Sequence, residues 1–159
     1  MGFSVELGAV SEDRLFDDKV IRLIEWVHDV RVDKDSIRRR LRLCGYEVDV
    51  YFSAYTLNKH ILRTFLIELK EHDLEKVILQ AYKRSHLANY TYIVINHSTE
   101  YIVDYIIRRW KTLPRLIAES GIGIISYQKD LDIEPFLVRK AKYKNYTNIT
   151  HYRQNTIKC

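Results

Sequence analysis

The sequence predicts a single α/β domain in which helices flank a mixed β-sheet. The 159-residue chain is 47% hydrophobic and 30% charged, with only five glycines and two prolines, which is typical of one compact domain. Segments with apolar residues at helical spacing alternate with short runs rich in β-branched and aromatic residues. Three successive strand-like segments precede a strand–helix–strand pattern, which indicates a parallel crossover. The expected element order is α-β-β-β-α-β-α-β.

The first half of the chain predicts one helix and three strands. Asp13 can cap a helix that runs to about residue 29, because its apolar residues recur at helical spacing. A polar turn is expected at 31–36. The turn former Asn58 separates two segments that should form an antiparallel hairpin. The three predicted strands span residues 37–44, 46–55 and 62–70.

The second half predicts two helices, the latter continued or kinked at Pro114, and further strands. Asp73 can cap a helix from 73 to 87, and Ser98 can begin another. Pro114 favours a further helical stretch that Gly121 ends. The remaining segments are read as extended and span residues 90–96, 122–127 and 136–138.

The predicted hairpin brings acidic residues together. A turn centred between Asn58 and Lys59 pairs residues whose numbers sum to 117, so Val48, Val50 and Phe52 share an apolar face. The same register places Asp49 opposite Glu68 and Glu47 opposite Lys70. Two facing carboxylates repel unless a cation lies between them, and Mg²⁺ suits such oxygen ligands. An exposed face in which Lys70 neutralises Glu47 is the alternative.

Two strand motifs and the helix after them resemble the PD-(D/E)XK nuclease superfamily. The motifs are Gly45-Tyr46-Glu47-Val48-Asp49-Val50 and Leu66-Ile67-Glu68-Leu69-Lys70, followed by a helix that contains Gln80. Val48 stands where the name of the motif has proline. The resemblance covers about residues 13–127 and implies a restriction-endonuclease-like αβββαβ core. That superfamily includes restriction enzymes and archaeal Holliday-junction resolvases.

The resemblance also implies a catalytic site. Asp49 and Glu68, together with the backbone carbonyl of Leu69, would bind Mg²⁺ or Mn²⁺, and Lys70 would orient or activate the attacking water. Gln80 would face the site or the DNA backbone. The acids that could complete the metal site are Glu47 and, on the first helix, Glu25, Asp18 and Glu12.

The positive charge favours DNA as the partner. The formal net charge is +5, and residues 139–158 contain six basic residues, no acid and several tyrosines. We therefore divide the chain into a nuclease-like domain at 1–138 and a basic tail at 139–159. The expected phosphate contacts, besides Gln80, are Arg38, Arg40, Arg139, Lys140, Lys142 and Lys144. A solvated edge strand and a solvated tail are the alternatives.

The leading hypothesis is a cytoplasmic, metal-dependent DNA nuclease. No apolar run is long enough to cross a membrane, and Cys44 and Cys159 are interpreted as structural thiols. Endonuclease and exonuclease activity are both open, as are the DNA structure cut and the number of metal ions. A homodimer would be the simple way to cut two strands. The rival hypotheses are a non-catalytic nucleic-acid-binding protein on the same fold and a structural protein with an incidental acid cluster.

Overall fold

The computed structural model describes residues 12–145 and the backbone of residues 156–157. Its α-helices are α1 (Asp18–His28), α2 (Leu74–Arg84), α3 (Thr99–Arg108) and α4 (Leu113–Ser120). Its strands are β1 (Val30–Val32), β2 (Arg38–Leu43), β3 (Tyr46–Thr56), β4 (Leu62–Lys70), β5 (Tyr90–Ile95), β6 (Gly123–Ser126), β7 (Phe136–Arg139) and β8 (Thr156–Ile157). The predicted α/β class with a mixed sheet and flanking helices is confirmed.

The strands form one mixed sheet in the order β7-β6-β5-β4-β3-β2-β8, and β1 pairs with β3 outside this path. Strands β2, β3 and β4 are antiparallel neighbours. Strand β5 runs parallel to both β4 and β6. The predicted β4–α2–β5 crossover is therefore confirmed, and the carboxyl ends of β4, β5 and β6 lie along one edge of the sheet.

The two faces of the sheet are covered by different helices. On one face α1 packs its Ile21 and Ile24 against strand residues such as Phe52 and Phe65. On the other face α2, α3 and α4 pack against residues such as Ile93 and Ile95. Each fully buried apolar side chain of this kind contributes about 1.5–3 kcal/mol to folding. The sheet is thus held between two helical layers, with its strand ends left open.

Helix α1 begins later than the sequence predicted. Asp17, not Asp13, caps the helix, because its Oδ1 accepts hydrogen bonds from the backbone N–H groups of Lys19 and Val20. The predicted turn at 31–36 is also only partly right. The segment includes the last two residues of β1, of which Arg31 lies opposite Tyr55 of β3, and a short 3₁₀ helix at Lys34–Ser36.

The hairpin register is confirmed over most of its length. The pairs run from Tyr55 opposite Leu62 to Val50 opposite Ile67, so the numbers sum to 117 throughout. The prediction that Val48 shares an apolar face with Val50 and Phe52 is wrong. Val48 packs in a separate cluster with Tyr51 and Leu66, because strict alternation along β3 is lost close to Asp49.

The beginning of the predicted basic tail is part of the folded sheet. Strand β7 extends through Arg139, and Ala141 is only 3% exposed, with its N–H donating to the Tyr92 hydroxyl at 3.1 Å. The Tyr92 ring fills the space above Gly123, where an added Cβ would lie 2.2 Å from a ring carbon. The tail is therefore anchored to the sheet at Ala141, while Lys140 and Lys142 are exposed. Tyr146, Tyr152, Arg153 and Lys158 lie outside the described residues.

Cys44 corrects the expectation of two structural thiols. It is disulfide-bonded, and none of the described cysteines is free. The only other cysteine in the sequence, Cys159, lies outside the described residues. Among the helices that the structure describes, the longest have 11 residues, and none is long and apolar enough to span a bilayer.

Candidate active site

Asp49 lies where β3 and β4 separate. Their recorded pairing ends at Val50 opposite Ile67, and its continuation would place Val48 against Leu69. Instead, the backbone N–H of Leu69 donates to Asp49 Oδ2 at 2.8 Å. The Asp49 carboxylate therefore replaces a backbone carbonyl at the end of the hydrogen-bond ladder. This bond holds Asp49 beside β4.

Glu68 forms a buried acid pair with Asp49. Its residue exposure is only 2%, and its carboxyl contacts both the carboxyl group and the backbone N–H of Asp49. Burial first, and the neighbouring Asp49 charge second, raise the pKa of Glu68 well above its usual range. Among the described residues, Glu68 Oε1 has no hydrogen-bond partner. The pair therefore requires either a shared proton or a cation.

Arg84, at the end of α2, forms an ion pair with Glu68. Its Nε lies 3.6 Å from Glu68 Oε1, which is an ion pair but too long for a hydrogen bond. Arg84 Nε is itself buried and has no hydrogen-bond partner within the described part of the chain. Arg84 was not among the predicted site residues. Its position four residues after Gln80, on the same side of a helix, was the available signal.

Lys70 pairs with an acid that precedes α1. Its Nζ lies 3.5 Å from Glu12 Oε1, and both side chains are largely shielded from solvent, with 21% and 29% exposure. Glu12 is therefore the one acid of the first-helix set that the structure brings to the end of β4. The expected alignment of Lys70 with Glu47 is not formed, since the recorded β3–β4 pairing stops before Glu47. Glu47 is exposed and lies opposite Arg42 of β2.

The other first-helix acids have structural partners elsewhere. Glu25 Oε2 accepts a hydrogen bond from the backbone N–H of Val32 at 3.0 Å, which ties α1 to β1. Asp18 forms an exposed ion pair with Lys34 at 3.6 Å. Neither contact involves the Asp49–Glu68 pair. The sequence could place these acids on α1 but could not show which strand they would meet.

A groove beside α2 begins at Arg84. Its volume is about 600 Å³, and its lining includes the half-buried Gln80. The guanidinium of Arg84 lies 5.4 Å from the centre of the Tyr46 ring, which also lines the groove. Lys76 and Lys83 line it as well. The structure thus brings Gln80 into one groove with the cation that contacts Glu68.

The predicted phosphate-binding residues fall into two groups. Several already have partners within the protein: Arg38 binds the Asp35 and Ile37 carbonyls at 2.7 and 3.0 Å, Arg40 binds the Asp13 carboxylate at 2.9 Å, and Lys144 donates to Ser85 Oγ at 3.1 Å. Burial lowers the pKa of Lys144. Lys140 and Lys142 are exposed, whereas Arg139 is half-buried. The exposed lysines are the better placed for an external phosphate.

The acid pair fits a hard divalent cation with few protein ligands. No cluster of three or more histidine, cysteine, aspartate or glutamate side chains that could hold a metal occurs in residues 12–145. Mg²⁺ usually keeps several waters and binds through one or two carboxylates, and Asp49 and Glu68 are the residues that could supply them. The unpartnered Oε1 of Glu68 leaves a ligand position available. In a regular strand the N–H and C=O of one residue point to the same edge, and the Leu69 N–H donates to Asp49 Oδ2.

No known protein family matches the chain, and no curated protein is similar to it in sequence.

Proposed function

We propose that the protein is a metal-dependent nuclease that hydrolyses DNA phosphodiester bonds at the Asp49–Glu68 pair. The observation that carries the proposal is the direct contact of two shielded carboxyls, one of them with an oxygen that has no hydrogen-bond partner among the described residues. Without a cation, two neighbouring carboxylates repel each other and lower the stability of the fold. Ionisable groups kept in such an arrangement often mark a functional site.

The order of elements supports a PD-(D/E)XK-like core. Helix α1 is followed by the antiparallel strands β2, β3 and β4, then by α2 and by β5 parallel to β4. This is the αβββαβ order that the resemblance implies, with β1, β6, β7 and β8 as additions. Asp49 and Glu68 occupy the second and third strands of this core, as that resemblance requires.

The chemistry needs no further nucleophile from the protein. A divalent ion supplies acidified water and offsets charge that develops on the phosphate. Asp49, Glu68 and the Leu69 carbonyl would hold the ion. Lys70 holds positive charge at the end of β4, where its contact with Glu12 fixes the ammonium group. Gln80 faces the groove in which the DNA backbone would lie.

A non-catalytic nucleic-acid-binding protein is the second candidate. The observation that favours it is Arg84, because a guanidinium 3.6 Å from Glu68 already supplies a positive charge to the acid pair. In that case DNA would bind without metal and would not be cut.

The test compares acid variants for cleavage of linear, nicked, single-stranded and four-way-junction DNA, with and without Mg²⁺. Asp49→Asn and Glu68→Gln should each abolish metal-dependent cutting but leave DNA binding in metal-free buffer within about threefold, since they remove ligands and little volume. Glu47→Gln is the matched control, an exposed acid on the same strand, and should keep full activity. If Glu68→Gln still cleaves DNA, this site is excluded. If neither the unaltered protein nor any variant cleaves DNA, the result favours the non-catalytic nucleic-acid-binding protein. Light scattering on the same samples would show whether two copies act together.

A further inference from the structure

The contact between Arg84 and Glu68 is chemically incomplete. Glu68 Oε1 and Arg84 Nε face each other at 3.6 Å, and both atoms are buried without a hydrogen-bond partner among the described residues. A well-formed guanidinium–carboxylate pair has hydrogen bonds at about 2.7–2.9 Å. Both side chains are shielded from solvent, with 3% exposure for Glu68 and 17% for Arg84. Arg84 therefore compensates the charge of the acid pair without being locked to it.

We propose that Arg84 is an internal counter-ion that competes with the metal for Glu68 and turns into the α2 groove when the metal binds. This inference rests on the proposed function of the acid pair. A divalent ion beside Glu68 would repel a guanidinium so close by, and the guanidinium has no hydrogen bond at Nε to hold it there.

The groove offers Arg84 a second position. Arg84 itself lines this cavity of about 600 Å³, together with Tyr46, Gln80 and Lys83. Its guanidinium already lies 5.4 Å from the Tyr46 ring centre, a cation–π contact that can be kept during a small movement. In the groove the planar guanidinium can bind a phosphate through two hydrogen bonds. The released cation would thus meet the DNA backbone next to Gln80.

This arrangement makes metal and phosphate binding cooperative. Metal binding frees Arg84 for a phosphate, and a phosphate that holds Arg84 in the groove removes the competitor of the metal. Coupling of this kind is reciprocal and commonly amounts to about 5- to 150-fold in affinity. The protein would therefore hold its metal weakly until DNA arrives.

The first experiment measures Mg²⁺ binding by calorimetry in the absence of DNA. Arg84→Met keeps a long apolar side chain and removes the charge, so Mg²⁺ should bind about tenfold more tightly than to the unaltered protein. Arg108→Met is the matched control, because it removes a 75% exposed guanidinium from α3 that does not line the groove, and its Mg²⁺ affinity should change less than twofold. Unchanged or weaker Mg²⁺ binding by Arg84→Met would overturn the proposal.

A second measurement uses the unaltered protein and does not depend on the folding of a variant. The Arg84 Nε–H resonance should shift during a Mg²⁺ titration and saturate at the concentration at which the metal binds. It should not shift in Glu68→Gln. If Mg²⁺ binds and the Arg84 resonance stays in place, the counter-ion proposal fails while the proposed function stands. If Mg²⁺ binds neither the unaltered protein nor Arg84→Met, the metal site itself is refuted.

Discussion

Replacing Glu68 with glutamine should make the protein more stable while it removes activity. The Glu68 carboxyl is 2% exposed, and its Oε1 lacks a hydrogen-bond partner among the described residues. A buried polar group left unsatisfied costs about 1–3 kcal/mol. A glutamine amide can donate to Asp49 without needing a shared proton, so we expect a gain of about 1–2 kcal/mol at neutral pH. For a chain of this size that raises Tm by about 2–8 °C.

The stability difference between Glu68→Gln and the unaltered protein should depend on pH. Because the folded-state pKa of Glu68 is raised above the ordinary value of 4.5, the folded protein binds more protons than the unfolded chain as pH rises beyond that value. Stability of the unaltered protein is therefore lost progressively up to the folded-state pKa, and Glu68→Gln avoids this loss. The Tm difference should be smallest near pH 4 and grow toward neutral pH.

Thermal unfolding in metal-free buffer from pH 4 to pH 8 measures this difference. Glu47→Gln, an exposed change on β3, should stay within about 0.5 kcal/mol of the unaltered protein. Added Mg²⁺ should raise the Tm of the unaltered protein but not that of Glu68→Gln. A Glu68→Gln protein that is less stable at neutral pH, or whose Tm difference does not vary with pH, would refute the reasoning.

Three further predictions concern charges outside the acid pair. Lys70→Ala should lower kcat, measured by cleavage kinetics, by about tenfold or more. Its Mg²⁺ affinity, measured by calorimetry, should stay within about twofold of that of the unaltered protein. An equal loss of kcat and of Mg²⁺ affinity would contradict a role of Lys70 in orienting or activating the attacking water. Lys140→Ala with Lys142→Ala should reduce the slope of log DNA affinity against log salt by about 1.8, whereas an unchanged slope would mean that neither contacts phosphate. Burial lowers the pKa of His28 to about 4, so the folded protein should lose stability as the pH falls from 6.5 to about 4. His28→Gln keeps a hydrogen-bond acceptor for the Tyr92 hydroxyl and should reduce this loss, as thermal melts at several pH values would show.

The sequence predicted those features that depend on local pattern and on pairing between neighbouring segments. The hairpin register followed from one turn and the alternation of side chains, and it is correct from Tyr55 to Val50. Asp73 and Ser98 cap their helices as expected, since a cap depends only on the next few residues. The association of Asp49 with Glu68 followed from the same register.

Features that depend on tertiary packing could not be read in this way. A pattern that assumes regular strands does not indicate that β3 and β4 separate at Asp49. Nor does it indicate that Val48 packs in a different cluster from Val50. Arg84 meets Glu68 only because α2 packs across the sheet. Likewise, nothing local in the sequence shows that Glu25 is used by β1 or that Glu12 meets Lys70.

The Tyr92 hydroxyl joins parts of the chain that are distant in sequence. It lies 2.6 Å from His28 Nε2 at the end of α1 and accepts the Ala141 N–H beyond β7, while its ring covers Gly123. Opening of residues 141–144 would therefore expose one side of a central strand and release the end of α1 together. These segments are expected to behave as one cooperative unit in native-state hydrogen exchange rather than to fray independently. Motion of residues 141–144 would in this way reach α1, which packs in the same core cluster as Tyr92 and Ala141.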